Sequence, residues 1–177
     1  MTDERLTSLA IETGFEYVAR LDVATLELKQ EVRDMCADNT CGQYGRRWGC
    51  PPGCGTLEEC RKLLEGYKRG ILVQSVGDVE DSFDFEAMME IEALHKERFS
   101  RMHEILREEG DVLALGAGCC TVCAQCTYPD QPCRFPDKKV LSMEAFGMLV
   151  LEVCKANGMQ YFYGGDKMAY TSCFLLR

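Results

Sequence analysis

Ten of the twelve cysteines in this chain lie in two short segments, and their spacing is typical of metal ligands. In the second segment Cys120, Cys123 and Cys126 form a C-x2-C-x2-C motif, and Cys133 follows after six further residues. Three thiolates at this interval let one loop wrap a face of a [4Fe–4S] cluster, and a fourth thiolate closes it. Zinc more often takes two separate C-x2-C pairs, so the motif favours an iron–sulfur cluster over zinc or metal-free thiols.

The first cysteine segment has a C-x4-C-x8-C-x3-C-x5-C spacing, which matches no common zinc template and is consistent with a second cluster. Its ligands would be Cys36, Cys41 and Cys50, with either Cys54 or Cys60 as the fourth. Two prolines after Cys50 limit how the chain can turn back at Cys54. Cys60 instead follows a Thr-x-x-Glu capping box, in the first turn of a helix whose exposed N–H groups favour a thiolate. We therefore expect Cys60 rather than Cys54 to complete this site.

Composition limits the possible functions. The chain has 177 residues, of which 46% are hydrophobic and 28% are charged, as in an ordinary globular domain. The net charge of −9 argues against binding to nucleic acid and against docking on an anionic membrane. The N-terminal residues contain no signal-peptide core, so we expect a cytoplasmic protein whose cysteines are metal ligands and not disulfides.

Hydrophobic periodicity and capping signals predict an α/β fold. Helices are expected at 3–13, 25–35, 57–68, 85–109 and 142–157, with Thr25, Asp84 and Ser142 among the N-caps, and strands at 15–21, 71–76, 112–115, 159–163 and 168–175. This order predicts an α/β sandwich with a mixed sheet that ends in an antiparallel hairpin. We expect a single domain, 1–177, with the cysteine-rich loops converging at one end of the sheet.

Five other residues could bind a metal but have simpler interpretations. Cys154 lies in a predicted helix and Cys173 in a predicted strand, so both are expected to pack as small apolar side chains. Cys119 directly precedes the first cysteine of the motif, and adjacent residues rarely bind the same ion, so we expect it to lie beside the site without binding metal. His95 and His103 have no second ligand at metal-binding spacing, so we expect them to serve the helix that carries them.

A basic and aromatic patch, Arg46-Arg47-Trp48, lies inside a cysteine loop of this acidic protein. In the simpler interpretation the arginines offset the charge of a thiolate-bound cluster and the tryptophan packs over it. The alternative is a docking point for an anionic substrate or an acidic redox partner. The same alternatives apply to Arg134, Lys138 and Lys139.

Several of these segments together resemble the domain of unknown function 2284, a family of predicted metal-binding proteins found mostly in anaerobic bacteria and archaea. The matching elements are Cys36-x4-Cys41, Tyr44-Gly45, Trp48-x-Cys50-Pro51-Pro52, Cys120-x2-Cys123-x2-Cys126, Pro132-Cys133-Arg134-x-Pro136 and Ser142-Met143-Glu144-Ala145. They span nearly the whole chain. The resemblance implies metal binding with iron–sulfur chemistry and no defined reaction. Cys54 and Cys119 lie outside the matching elements, which again favours Cys60 over Cys54.

Three functions are compatible with these observations. The first is a cytoplasmic iron–sulfur protein of an anaerobe, with one or two [4Fe–4S] clusters that pass electrons to a redox partner protein, because fully Cys-ligated clusters leave no open iron position. The second is an enzyme in which one cluster has only three protein thiolates and binds a small substrate at its free iron. The third is a zinc-stabilised interaction domain. No dinucleotide-binding or P-loop motif is present.

Overall fold

The computed structural model describes residues 1–177 and contains five α-helices and one five-stranded sheet. The helices are α1 Asp3–Thr13, α2 Gln30–Ala37, α3 Leu57–Leu64, α4 Phe85–Glu109 and α5 Val150–Ala156. The strands are β1 Tyr17–Asp22, β2 Arg69–Asp78, β3 Val112–Gly116, β4 Leu141–Ser142 and β5 Lys167–Leu176. Short 3-10 helices lie at Val23–Thr25 and Pro136–Lys138.

The sheet is mixed, with the strand order β1-β2-β5-β3-β4. β1 pairs with β2, β2 with β5, and β5 with β3, all antiparallel, while β3 and β4 are parallel. The long strands β2 and β5 pair from Arg69↔Leu176 to Asp78↔Lys167 and form the centre of the sheet. The α/β fold with a mixed sheet that the sequence predicts is therefore confirmed.

Helices cover both faces of the sheet because successive side chains of a strand point to opposite sides. On one face Ile71 and Phe174 pack against Leu6 of α1 and Phe99 of α4. The residues that form the other core include members of β2, α3, α5 and the turn after β4: Leu72, Cys60, Cys154 and Phe146. This second core also contains Cys173, so both cysteines expected to be simple buried thiols are buried in it.

The expected C-terminal hairpin does not form. Residues 159–163 lie outside any strand, because both edges of β5 are already paired, one with β2 and the other with β3. The segment instead follows the surface of β2, where Gln74 Nε2 donates to the carbonyl of Gln160 at 2.9 Å and Tyr163 donates its hydroxyl to Gln74 Oε1 at 2.7 Å. The last strand therefore pairs with two strands that are remote in sequence and not with the segment directly before it.

Three helices are shorter than expected, and two of these also begin at a later residue than expected. The helix expected from Thr25 begins at Gln30, because Thr25 closes a 3-10 turn by donating its hydroxyl to the carbonyl of Asp22 at 2.6 Å. The last helix begins at Val150, because Gly147 adopts a φ of 95° that a helix cannot continue through. Ser142 lies in β4 and its Oγ accepts from the Ala145 N–H at 3.0 Å, so it caps a turn only. The third, α3, ends at Leu64, short of the expected residue 68.

The α4 helix has the expected bounds, and Asp84 is its N-cap, with its Oδ1 accepting from the Ala87 N–H at 3.2 Å. None of the helices combines the length and the apolar character that crossing a membrane requires.

Candidate metal centres

The two cysteine segments meet beside the carboxyl end of β3, as expected from the sequence. Gly116 ends β3 and begins the loop that contains the C-x2-C-x2-C motif. Arg47 of the other segment donates from Nη1 to the carbonyl of Cys120 at 2.8 Å. Trp48 donates its backbone N–H to Cys126 Sγ at 3.4 Å and its indole N–H to the carbonyl of Gln131 at 3.0 Å. These contacts fix the first cysteine segment against the second.

All four cysteines of the motif loop, Cys120, Cys123, Cys126 and Cys133, line one small cavity of about 20 Å³, which we call the narrow site. The other side chains around it include Arg47, Trp48, Val122, Phe135 and Lys139. A cuboidal cluster would have to push these thiols apart as it enters. The loop that carries them contains no helix or strand before Pro136, so its backbone has few regular hydrogen bonds to lose.

The narrow site favours a thiolate at Cys126. Burial raises the pKa of this thiol, but the backbone N–H groups of Trp48, Tyr128 and Thr127 and the charge of Arg47 outweigh burial and lower the pKa below its usual value. Hydrogen bonds to the ionised form and a nearby positive charge both stabilise a thiolate. Because the thiolate is the form that binds metal, the lowered pKa makes Cys126 a favourable metal ligand.

The second group of cysteines, Cys36, Cys41, Cys50 and Cys119, lines a separate and larger cavity of about 480 Å³, which we call the wide site. Cys36 comes from the last turn of α2, and Cys119 follows β3. Cys41 and Cys50 belong to the loop between α2 and α3. The polar residues that line the rest of this cavity are Gln43, Tyr44, Glu92, Ser142 and Glu144.

The thiols of the wide site raise one another's pKa values. The pKa of Cys50 rises to about 12, first because of burial and then because of its neighbours Cys119, Cys41 and Cys54. Burial, followed by the charge of Glu144, also raises the pKa of Cys36. A bound cation would lower these pKa values, because it offsets the negative charges and deprotonates the thiols that coordinate it.

Neither Cys60 nor Cys54 lines the wide site, although Cys54 is close enough to Cys50 and Cys36 to raise the pKa of both thiols. The capping box at Thr56 is present, and it places Cys60 early in α3, as expected. The Cys60 side chain, however, is 3% exposed and packs in the core. Its polar neighbour is Arg33, with Nη1 4.0 Å from Sγ. Cys54 Sγ lies 3.7 Å from the carbonyl oxygen of Ala145. The structure thus brings Cys119 to Cys36, Cys41 and Cys50, and it does not bring Cys60 there.

Arg33 connects the segments behind the wide site. Its guanidinium donates to the carbonyl of Ala145 at 2.6 Å and to the carbonyl of Gly55 at 2.5 Å. These bonds tie α2 to the turn after β4 and to the start of α3. Arg33 therefore fixes the segment that contains Cys54 and Cys60 beside the wide site, outside the lining of its cavity.

Gly49 allows the two cysteine segments to cross. A Cβ atom at this buried position would overlap the carbonyl oxygen of Val140 and lie 3.1 Å from Cys120 Cβ. Only glycine permits this approach of backbone to backbone. Trp48 on one side of Gly49 lines the narrow site, and Cys50 on the other side lines the wide site.

The donor set of both sites is chemically selective. Cys thiolates are ligands for zinc and for iron–sulfur clusters, whereas calcium and magnesium require oxygen ligands. Four thiols around each cavity meet the ligand number of a [4Fe–4S] cluster or of a zinc ion. As the side chains stand, no group of three or more His, Cys, Asp or Glu residues is arranged around a single ion position.

Comparison with known proteins gives one match. Residues 19–176 match the family model described as "Predicted metal-binding protein (DUF2284)". The matched range contains all twelve cysteines. No curated protein and no solved structure matches the chain.

Proposed function

We propose, from the premise that the chain belongs to the DUF2284 family of predicted metal-binding proteins, that it is an iron–sulfur protein of the electron-transfer type. In this proposal one [4Fe–4S] cluster is bound at the narrow site and a second at the wide site. The observation that carries it is the division of the cysteines into two groups, each around its own cavity. Each group of four thiols has the ligand number of one cuboidal cluster, and the C-x2-C-x2-C spacing of the narrow site favours iron over zinc.

Electron transfer suits the narrow site best. Four thiolates leave no iron position open, so the cluster supplies one-electron chemistry and no substrate binding. The chain's own residues offset the negative charge of such a cluster: Arg47 lies beside it, and the Trp48 N–H donates to Cys126 Sγ. Hydrogen bonds to cluster sulfur and nearby positive charge are among the factors that set a reduction potential.

The surface around the narrow site fits an acidic redox partner protein. Val122 and Phe135 line the cavity and are also 39% and 47% exposed, so the site lies close to the surface. Arg46 and Arg134 are exposed on the same two loops, although the chain as a whole carries a net charge of −9. Lys138 is exposed in the 3-10 helix that follows, where it pairs with Glu104 at 3.3 Å. A local basic surface steers an acidic partner to this face.

A cytoplasmic location in an anaerobe completes this proposal. A reducing compartment keeps cysteines as thiols, the form in which they serve as metal ligands. The cysteines that line the two cavities are proposed as ligands, and they require such a compartment.

The size of the wide site favours a second candidate function, that of an enzyme. Its cavity of about 480 Å³ is within the range of small-molecule binding sites, and Tyr44, Glu92 and Glu144 supply polar groups within it. If only Cys36, Cys41 and Cys50 hold the cluster there, one iron remains free to bind a small substrate. This candidate is distinguished by adding small ligands to the oxidised protein, because only an open iron changes its spectrum.

The decisive experiment is anaerobic purification followed by iron, zinc and sulfide analysis. We expect about eight irons and about eight sulfides per chain, with a brown colour and broad absorption near 400 nm. Stoichiometric zinc without acid-labile sulfide would overturn the iron–sulfur proposal and would establish a zinc-stabilised interaction domain instead.

A further inference from the structure

We infer that Cys119 is the fourth ligand of the wide site, and that the adjacent pair Cys119-Cys120 joins the two metal centres into one electron path. This inference rests on the proposed function and adds two things to it: the ligand set of the second cluster and the route between the clusters. Neither Cys54 nor Cys60 is a ligand in this assignment.

The position of Cys119 in the fold supports the first part. It lies in the turn that follows Gly118, between the end of β3 and the motif loop, and its side chain lines the same cavity as Cys36, Cys41 and Cys50. All four side chains retain some solvent exposure, and Cys41 is the most open of them. All four side chains therefore remain accessible from the cavity that they line.

Cys60 faces a different environment. It is buried among apolar residues of the core that include Tyr67, Phe146 and Val153, and its sulfur points to Arg33. Moving it to the cavity would break up this core and the two short hydrogen bonds that Arg33 makes to backbone carbonyls. Core packing of this kind resists rearrangement because each buried contact contributes to stability.

Adjacent cysteines can serve two clusters even though they rarely serve one. Consecutive Cα atoms are about 3.8 Å apart, so two adjacent side chains can line two neighbouring cavities. Cys119 lines the wide site and Cys120 lines the narrow site, so one peptide bond separates a ligand of each. Arg47 holds the carbonyl of Cys120 at 2.8 Å and so fixes the second member of the pair.

The other cysteine segment also passes from the lining of one site to the lining of the other within three residues. Trp48 lines the narrow site and Cys50 lines the wide site, with only Gly49 between them. The two cavities therefore share a wall that includes these two backbone segments. Clusters held by Cys119 on one side and Cys120 on the other would supply one-electron chemistry, and exchange of an electron between them would require no proton or bond change.

The test uses the iron-loaded protein and three alanine variants, because alanine offers no oxygen that could replace the thiolate. Cys119→Ala is expected to lower iron from about eight toward about four per chain and to remove or alter one cluster signal. Cys60→Ala and Cys54→Ala are the matched controls and are expected to keep full iron. Full iron and an unchanged spectrum in Cys119→Ala, with loss in Cys60→Ala or Cys54→Ala, would overturn the assignment.

The electron path has its own readout. After reduction with dithionite, the wild-type paramagnetic spectrum is expected to be broadened and split, since two neighbouring reduced clusters interact magnetically. Cys119→Ala is expected to show the simple spectrum of one isolated cluster. A fully reduced wild-type protein with two clusters and two independent, unsplit signals would overturn the proposed path.

Thiol labelling keeps the test valid if Cys119→Ala does not fold. In the wild-type protein with its metal bound, Cys119 is expected to resist iodoacetamide, and removal of iron with a chelator under denaturing conditions is expected to expose it to labelling. Rapid labelling of Cys119 in the protein with full iron would overturn the inference. Absence of iron and sulfide from the wild-type protein is a different outcome, and it would overturn the proposed function itself.

Discussion

The narrow and wide sites obtain their cysteines in different ways. All four cysteines of the narrow site come from one loop between Cys120 and Cys133, so the local sequence alone brings them together. Those of the wide site come from the end of α2, the loop after it, and the turn after β3. The wide site therefore exists only when the sheet and the helices are assembled. A site of the first kind can be identified from a motif, whereas a site of the second kind needs the fold.

The two sites also differ in charge. The narrow site is lined by Arg47 and Lys139, and the wide site by Glu144 and by Glu92, which pairs with Lys96 at 2.6 Å. Positive charge favours the more negative, reduced form of a cluster, and negative charge disfavours it. We therefore expect the narrow-site cluster to have the more positive potential, so that electrons pass from the wide site to the narrow site and then to the partner.

The largest expected effect separates the two sites by their metal content. Cys126→Ala removes a central thiolate of the narrow site, and iron is expected to fall from about eight to about four per chain. The measurement is iron and sulfide per chain together with the spectrum of the remaining cluster. Cys154→Ala is the control, since Cys154 is fully buried in the core and lines neither site. Unchanged iron in Cys126→Ala would show that this thiol is not a ligand.

The next largest effect tests whether the sites share a wall. Gly49→Ala places a Cβ atom against the carbonyl of Val140 and near Cys120, and overpacking of this kind costs about 1–3 kcal/mol of unfolding free energy. We expect both clusters to be retained more weakly, as measured by the rate of iron release to a chelator. Gly165→Ala is the control, because no atom lies within 4 Å of its Cβ position. Iron loss from one site alone would contradict a shared wall.

The same contrast between local and assembled features explains which parts of the fold the sequence predicts. The bounds of α4 and its Asp84 cap follow from side chains within one turn of the helix start and from a regular apolar face. The capping box at Thr56 is likewise local. The hairpin prediction was wrong because the partners of β5 are remote strands. The predicted start at Ser142 was wrong because Gly147 adopts a positive φ against Leu57, a contact that local sequence does not reveal.

The predictions about the two sites also depend on whether the cysteines lie close together in the sequence. Cys120 and its three motif partners line one cavity, as the motif suggests. The sequence predicts that Cys119 lies beside the motif, and the structure adds that it lines the wide site with three cysteines of the other segment. No local signal identifies this position, because the other cysteines of the wide site lie in a segment that is remote in sequence. The ligand roles of Cys60 and Cys119 stay predictions until the alanine variants are measured.

Acid is expected to lower the free energy of unfolding through His95. This residue is buried on α4 between Ser75 and Ser172. Burial, with smaller effects of the charges of Arg98 and Lys96, lowers the pKa of His95 to about 3. The unfolded chain binds this proton near pH 6.5 and the folded protein does not. His95 therefore makes stability fall as the pH drops below about 6.5, by up to about 1.4 kcal/mol per pH unit, until the folded pKa is reached.

His95→Gln tests this contribution, because glutamine can still hydrogen-bond to the serines but does not titrate. The measurement is the free energy of unfolding of both proteins at several pH values between 5 and 7. We expect a shallower decline in the variant. Parallel curves would show that another group controls the acid response.

The smallest expected effect concerns the charge difference itself. Glu144 is exposed at the rim of the wide site, where its charge helps to raise the pKa of Cys36. Glu144→Gln removes one negative charge without changing the shape of the side chain, so reduction of the wide-site cluster becomes easier. An exposed charge contributes about 0.2–1 kcal/mol, which corresponds to a positive shift of about 10–40 mV for a one-electron couple. The narrow-site potential is expected to change less, since Glu144 does not line that cavity. Redox titration followed by the two paramagnetic signals measures both potentials in one sample. A shift confined to the narrow-site signal would contradict the assignment of Glu144 to the wide site, and a negative shift would contradict the charge argument that separates the two sites.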